Sequence, residues 1–441
     1  MTGSTSDTAS PSLARRARRE LRVFPRQFWL LTFGFFVLLA GVDMCFPFET
    51  IYLRQRMDVS MTTIGLLLGV PLLAALPLHI VGGAFADRYG RKPAMAIGVV
   101  VLAALYCTFA FATEIWQIGI AITVEAGFGW ALFLTGSNAM TADLVPHERR
   151  AEAYSITRVA LNAGMVLGPL MAGVLLATSG GFRTLFLTGG AISAVFVLIV
   201  LVFFRETRPE AARRQATLAA TLSGYAAVMR DGRFLAFCGV ALLPLYGFGQ
   251  IWSVWPVALA EVHGISPRTW SVVLASYALA SFLFQYPVVR VLRRRDHLLL
   301  MAASSAALGV GLAGGVLAPW GYPWPTLVFV LILSFAIMLL IPISATVAAE
   351  LAPVALRGRY MGAWTLVQMG GYALGPLFGG WALDGLGPRS AFTLVGALGL
   401  LGAALFVITA SHFRRVDEEA AEAAREALVD GESYSTVPPG I

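Results

Sequence analysis

Gly164-Met-Val-Leu-Gly168-Pro169 and Gly371-Tyr-Ala-Leu-Gly375-Pro376 are one phrase written twice, each inside a long apolar stretch. The register extends upstream without a gap: Asp143 answers to Glu350, Leu144 to Leu351, Pro146 to Pro353 and Arg150 to Arg357. A half-length repeat in an apolar chain implies a duplicated bundle whose halves pack side by side, with a binding site at their interface. That is the architecture of an alternating-access carrier.

Composition points the same way. The 441 residues are 58% hydrophobic and 13% charged, too few polar groups to cover a soluble domain of this length. Apolar runs of about 20 residues, enough to cross a hydrocarbon layer, fall at 27–49, 62–86, 94–112, 117–141, 154–178, 183–204, 236–258, 270–291, 297–318, 324–347, 359–383 and 390–410. Lipid offers backbone N–H and C=O groups no partners, so these runs must be helices. The expected fold is an all-α membrane protein of twelve helices in two pseudo-symmetric six-helix bundles, 27–204 and 236–410. A linker at 205–235 joins them, and 1–26 and 411–441 are tails.

The net charge of +7 sorts by position. With the N-terminus in the cytoplasm, most of the 32 Lys and Arg fall on the cytoplasmic side. They include the cluster from Arg15 to Arg26, then Arg88, Arg91 and Lys92, and later Arg290, Arg293, Arg294 and Arg295. This bias places both termini in the cytoplasm of a multi-pass protein of the inner or plasma membrane. The basic charge is a topology signal, and no nucleic-acid partner is expected. The basic segment before the first span reads as a retained signal anchor, because its apolar run is too long and has no small-residue cleavage site. Cys45, Cys107 and Cys238 all fall within spans and give neither a disulfide framework nor a metal spacing. No metal, cofactor or catalytic residue is expected. The linker, opening Arg205-Glu206-Thr207-Arg208-Pro209, reads as a tether with an interfacial helix.

Between the second and third spans stands Gly83-Ala-Phe-Ala-Asp87-Arg88-Tyr-Gly90-Arg91-Lys92. Gly83 and Gly90 permit close helix approach and a tight turn, and Asp87 sits too near lipid to be a casual surface acid. These residues, at these spacings after the second span, resemble the signature loop of the major facilitator superfamily, and the resemblance extends over all twelve spans. It implies that the loop gates the inner face: Asp87 would cap the N-terminus of the eleventh span, and Arg91 would pair with Asp143. In the second half the same offset puts Arg290, Arg294 and His297 where Gly83, Asp87 and Gly90 stand, so only the first gate looks complete. The Gly164–Pro169 phrase is similar to the fifth-span motif of bacterial twelve-span drug:proton antiporters, which implies export. Physically it states only tight packing and a bend, because Gly164 and Gly168 share a face and Pro169 removes a backbone hydrogen bond. Gly371, Gly375 and Pro376 repeat that pattern. Gly309-Val-Gly311-Leu-Ala-Gly314 spells a dinucleotide fingerprint, but it lies within an apolar span with no strand before it and reads as helix packing.

Ionisable residues within spans are costly unless paired or hydrated, and are functional candidates by default. Asp43 lies about 21 Å above Trp29, and Glu125 about 27 Å above Asp143, at 1.5 Å per residue. Loss of water favours the neutral form of a carboxyl, so both are candidate proton carriers. The resemblance adds that the first, fourth, seventh and tenth spans line the cavity, and that Asp43-Met44-x-x-Pro47 looks like the first-span acid of multidrug antiporters. Glu49 is placed at the outer rim, in contact with water. Where many relatives carry an arginine before Gly127-Phe-Gly129, this chain has Thr123. Arg158, on one face with Asn162, either binds an anionic substrate group or braces Asp143. Tyr246, Gln250 and Gln368 are candidate cavity-wall residues. The second half has no mid-span acid, only Glu350 and Asp384 near span ends.

The reading is a monomeric, proton-coupled carrier that moves a small molecule through the lipid bilayer, most simply by exporting amphipathic compounds or drugs. The alternatives are a proton symporter importing a metabolite and a non-transporting membrane receptor on the same fold.

Overall fold

Pro47 divides the first span. Helix Arg26–Cys45 gives way to a 3-10 turn, Phe46–Phe48, and resumes as Glu49–Arg56, because proline has no N–H to continue the ladder. The second half breaks at the corresponding place: Gly232–Ile251 stops, and Trp255–His263 restarts with Pro256 in its first turn. The fourth span is interrupted at Gly129, between Ile115–Phe128 and Trp130–Leu144. The runs at 27–49, 117–141 and 236–258 are therefore broken helices. Hydropathy registers apolar length and passes over such breaks.

The computed structural model describes residues 24–178, 181–207, 228–292, 294–318 and 324–435. Most of the N-terminal tail and linker residues 208–227 lie outside the described residues. Besides the three broken spans, the helices are Met61–Tyr89, Arg91–Phe111, Arg150–Thr178, Phe182–Phe203, Pro267–Leu292, His297–Leu317, Trp324–Leu351, Arg357–Leu386 and Pro388–Ser435. Among the described residues, 11 helical segments are long and apolar enough to cross a membrane. Arg357–Leu386, glycine-rich and 30 residues long, supplies the eleventh span of the series. The last helix runs on unbroken beyond the expected end of its span, through 48 residues. Arg233 to Asp417 (2.7 Å) and Arg414 to Asp296 (3.1 Å) tie its extension to the bundle.

Large apolar side chains such as Val159, Val174, Leu198, Val202 and Phe203 are exposed. Exposure on this scale marks a surface made for lipid.

Span 1 packs against spans 5 and 6, and span 7 against spans 11 and 12, while the halves meet through spans 2 with 11 and 5 with 8. The repeated phrase performs the same task twice. A Cβ on Gly168 would lie 2.8 Å from Met44 N and 2.9 Å from Ala40 O in span 1. One on Gly375 would lie 2.6 Å from Gly249 C and 2.9 Å from Gln250 N in span 7. Both glycines thus let two backbones touch. Gly164 lies against span 1, and Gly371 against span 7 at Leu245. Pro169 and Pro376 both lie inside their helices.

Candidate functional site

A cavity of about 390 Å³ lies between the halves, walled by spans 1, 2, 3 and 4 on one side and 7 and 11 on the other. Its lining is apolar and aromatic, with Phe46, Tyr106, Trp130, Phe248, Trp252 and Tyr372 among the walls. Three acids, Asp43, Glu49 and Glu125, face into it, and no basic side chain lines it among the described residues.

The three acids differ in their partners. Glu125 stands just before the break in span 4, and its Oε1 accepts the Trp130 N–H at 3.3 Å. It therefore satisfies an N-terminal donor of the helix that follows. Asp43 Oδ2 and Glu49 Oε1 are buried with no hydrogen-bond partner among the described residues, and so is Thr50 Oγ1 beside them. Tyr106 lines the same cavity as all three carboxyls, but its hydroxyl donates to Val42 O at 3.4 Å. Span 5 presses on span 1 at Asp43 itself, where the Gly168 Cβ position comes within 2.9 Å of the Asp43 carbonyl carbon.

Asp43 and Glu125 thus share one chamber. Glu49 corrects the sequence reading: it is only 4% exposed and lines the chamber, where a place at the watery rim was expected. Residues six apart in an unbroken α-helix sit about 120° from sharing a face, and three 3-10 residues at about 120° each cut the difference to about 60°. The turn at Pro47 brings Glu49 inward. Pro47, between the two acids, was the signal in the sequence. Arg158, Asn162, Tyr246, Gln250 and Gln368 are not among the lining residues. Arg158 is exposed on span 5, and Gln250 is buried with its Nε2 unpartnered.

On the arginine-rich face, Arg91 Nε lies 3.2 Å from Asp143 Oδ2, and Arg91 Nη1 donates to Ala86 O at 2.9 Å. The Thr207 hydroxyl adds a second donor to Asp143. Gly90 turns the chain at φ 113°, in the left-handed region that glycine tolerates. Glu206 accepts the N–H groups of Arg91 and Lys92 at 2.9 and 3.0 Å, capping span 3 from a segment the sequence offered only as a tether. Lys92 Nζ donates to Leu201 O, and Arg88 lies over the Tyr89 ring. Gly83 and Asp87 fall within helix Met61–Tyr89, and the Asp87 side chain and the surroundings of Gly83 lie outside what is described. The second half is less decayed than its spelling implies: His297 Nδ1 lies 3.0 Å from Glu350 Oε2, the acid equivalent to Asp143.

The opposite face carries a latch between the halves that the sequence reading missed. Arg54 Nη2 lies 3.1 Å from Glu261 Oε1, and its Nη1 4.0 Å from Asp384 Oδ1. Asp384, at the end of span 11, accepts the Met61 N–H at 3.2 Å, the Thr62 N–H at 2.7 Å and the Thr62 hydroxyl at 2.8 Å. A carboxylate thus sits on the N-terminal turn of span 2, where the helix dipole favours an anion.

Paired bundles, a cavity between them and a short glycine-turned loop with Arg91 on Asp143 are the parts of a carrier. The Major Facilitator Superfamily model matches residues 31–250 and again 232–438. The chain belongs to the Major Facilitator Superfamily. Among its relatives in that superfamily, multidrug resistance protein MdtH of Salmonella newport is 29% identical over 367 residues, covering 80% of this chain and 84% of that one. The uncharacterized MFS-type transporter YttB of Bacillus subtilis is 27% identical over 370 residues, covering 83% and 90%. The fold is also that of the nucleoside transporter NupG, with a TM-score of 0.74 at 17% identity over 87% of this chain and all of that one. A D-xylose-proton symporter gives 0.66 at 16% identity, covering 86% and 96%. Transport of a small molecule across a membrane is the superfamily's function, and this chain is a multi-pass membrane protein.

Proposed function

We propose that the protein is a proton-driven exporter of amphipathic small molecules, working by alternating access with its arginine-rich face toward the cytoplasm. The observation that carries the reading is Asp43. Its Oδ2 is buried at the cavity wall without a donor. A charge left so costs several kcal/mol, and a proton or a cationic substrate removes that cost. A group that must hold one or the other is the element an exchanger needs. Glu125 is the second candidate proton carrier, with one oxygen already given to Trp130 N–H. The latch at Arg54, Glu261 and Asp384 fits a carrier loading from its arginine-rich face. Likeness to MdtH and the fifth-span phrase favour drugs as cargo and export as direction. Import with protons is the second reading, favoured by Thr123 standing where antiporter relatives carry arginine.

The test is transport by protein reconstituted in vesicles under an imposed pH gradient of either sign. Uphill movement of a lipophilic dye against an opposing proton flux is expected, and Asp43→Asn should abolish the uphill component while downhill exchange persists in part. Co-directional movement of dye and protons would overturn export. Uphill movement undiminished in Asp43→Asn would remove Asp43 from the coupling.

A further inference from the structure

Asp43 faces two spaces. Besides the acid-lined chamber it borders a crevice of about 10 Å³, walled by Met165 and Pro169 of span 5 and by Leu274, Tyr277 and Ala278 of span 8. That is about the room of one water molecule. Chamber and crevice share Asp43 and Trp252 and are otherwise lined by different residues. The crevice lies on the seam where the two halves meet through spans 5 and 8. Toward the opposite face the seam is shut, since a Cβ on Gly173 would lie 2.8 Å from Ser271 Oγ. Toward the arginine-rich face it parts. Phe282, Leu283, Phe284, Gln285 and Tyr286 are all exposed. Five successive residues point all round a helix, so this stretch of span 8 stands clear of span 5 among the described residues. The matching end of span 5 exposes Tyr154 and Arg158.

Below the crevice the seam turns polar. Arg158, Asn162, Met165 and Pro169 recur at three- and four-residue spacing and share one face of span 5, as Tyr277, Ser281 and Gln285 share one face of span 8. The helices run antiparallel, and the register set by Gly173 with Ser271 puts Asn162 level with Ser281 and Arg158 level with Gln285. Ser281 Oγ is buried with no hydrogen-bond partner among the described residues. Hydroxyl, amide and guanidinium groups at successive levels hold water where apolar walls would not.

We propose that this seam is the route by which Asp43 exchanges its proton with the arginine-rich face, separate from the chamber that carries cargo. The carboxyl gives its proton to a water in the crevice and keeps the bonding electron pair as carboxylate. The excess proton passes along water and the Tyr277 and Ser281 hydroxyls, each accepting one proton and releasing another, to bulk water beyond Arg158. Cargo filling the chamber thus leaves the proton's exit clear. Span 5 belongs to one half and span 8 to the other, so rotation that opens the opposite face parts the Gly173–Ser271 contact and turns the same carboxyl toward that side.

This inference rests on Asp43 as the proton carrier of the exporter reading, and its test separates the two. Protein in phosphatidylcholine vesicles with trapped pyranine is given ethidium, and ethidium-driven proton movement is read beside downhill ethidium exchange at uniform pH. Ser281→Val and Tyr277→Phe should slow proton movement by about tenfold or more, with downhill exchange near the wild-type rate. Ser281→Thr, which has the shape of valine but keeps the hydroxyl, should retain proton movement. The ratio of rates in ordinary and heavy water should rise in Tyr277→Phe, because proton transfer becomes the slow step; a packing defect would leave it unchanged. Proton movement undiminished in Ser281→Val and Tyr277→Phe overturns the proposal, as does loss of proton movement and downhill exchange in equal proportion. Loss in Asp43→Asn with none in the seam variants strikes this route alone. A wild type without ethidium-driven proton movement, or an Asp43→Asn variant that keeps it, strikes the exporter reading and this route with it.

Discussion

Arg54 and Glu261, whose side chains meet at 3.1 Å, are equivalent residues of the duplicated sequence. They lie 207 positions apart, the interval that also separates Gly164 from Gly371 and Asp143 from Glu350. A residue that touches its own repeat counterpart lies on the pseudo-twofold axis relating the two bundles. The latch on this face is therefore placed where rotation of one bundle against the other must part it.

Both side chains of that pair are about one-third exposed, so the contact is screened and contributes about 0.2–1 kcal/mol. Arg54→Gln should accordingly raise the open population on this face by roughly 1.5- to 5-fold. The check is the modification rate of a cysteine placed at Thr50, in a background lacking Cys45, Cys107 and Cys238, by an impermeant maleimide applied from that face. No change in rate would show that the pair does not hold the halves.

Asp384 lies one residue past the expected end of the eleventh span. Partial burial pushes its carboxyl up, but the Thr62 and Met61 donors and Arg54 outweigh this and hold it below the ordinary 3.8. A depressed folded-state value means that its contribution is complete above 3.8 and is lost as pH falls through the lowered value. Closure of this face should then be constant over roughly pH 5–8 and loosen only below about pH 4. Spin-label distances across the face, followed during acid titration, test this; Asp384→Asn should shift them at neutral pH and abolish the acid transition.

The packing seams predict paired defects. Leucine at Gly168 would drive a side chain into the span 1 backbone at Met44 and Ala40, and leucine at Gly375 would do the same to span 7 at Gly249. Each should lower the thermal midpoint in detergent by the equivalent of about 1–3 kcal/mol. Transport should fall further in Gly168→Leu than in Gly375→Leu, because only the first displaces Asp43. Equal losses would separate that seam from coupling.

The Arg91–Asp143 ion pair and the His297–Glu350 contact on the arginine-rich face should differ in weight. Side chains of Arg91 and Asp143 are 8% and 17% exposed, against 25% and 55% for His297 and Glu350. Asp143→Asn removes the counter-charge of a nearly buried guanidinium that keeps Ala86 O as an acceptor, and should cost roughly 1.5–3 kcal/mol, whereas Glu350→Gln should cost about 0–1 kcal/mol. Thermal unfolding of the two variants side by side measures the difference.

The helical architecture was legible because lipid leaves the backbone one solution and because the duplication is written in register. The Arg91–Asp143 pair was legible because both residues sit in a loop and a helix end that spelling preserves. Glu49 was not, since its position depends on how far three residues around Pro47 overwind the helix, and periodicity assumes a constant twist. Asp384 and Glu206 were missed because each caps a helix distant in sequence, and capping signals are local. Arg54 with Glu261 could have been found, as opposite charges at the repeat interval. Arg158 drew attention for its charge alone, yet among the described residues the charged groups that line the chamber are all acids.

The Arg54–Glu261 contact also records something about history. Were the two halves still identical copies, each would place the same residue at this position, and a like charge would face its twin across the axis. An attractive pair there can arise only after the copies have diverged. It makes the halves non-interchangeable: two N-terminal halves brought together would oppose Arg54 to Arg54, and two C-terminal halves Glu261 to Glu261. Separated halves expressed together would therefore find their own kind slightly disfavoured and their complement preferred, by no more than the small weight of this screened pair.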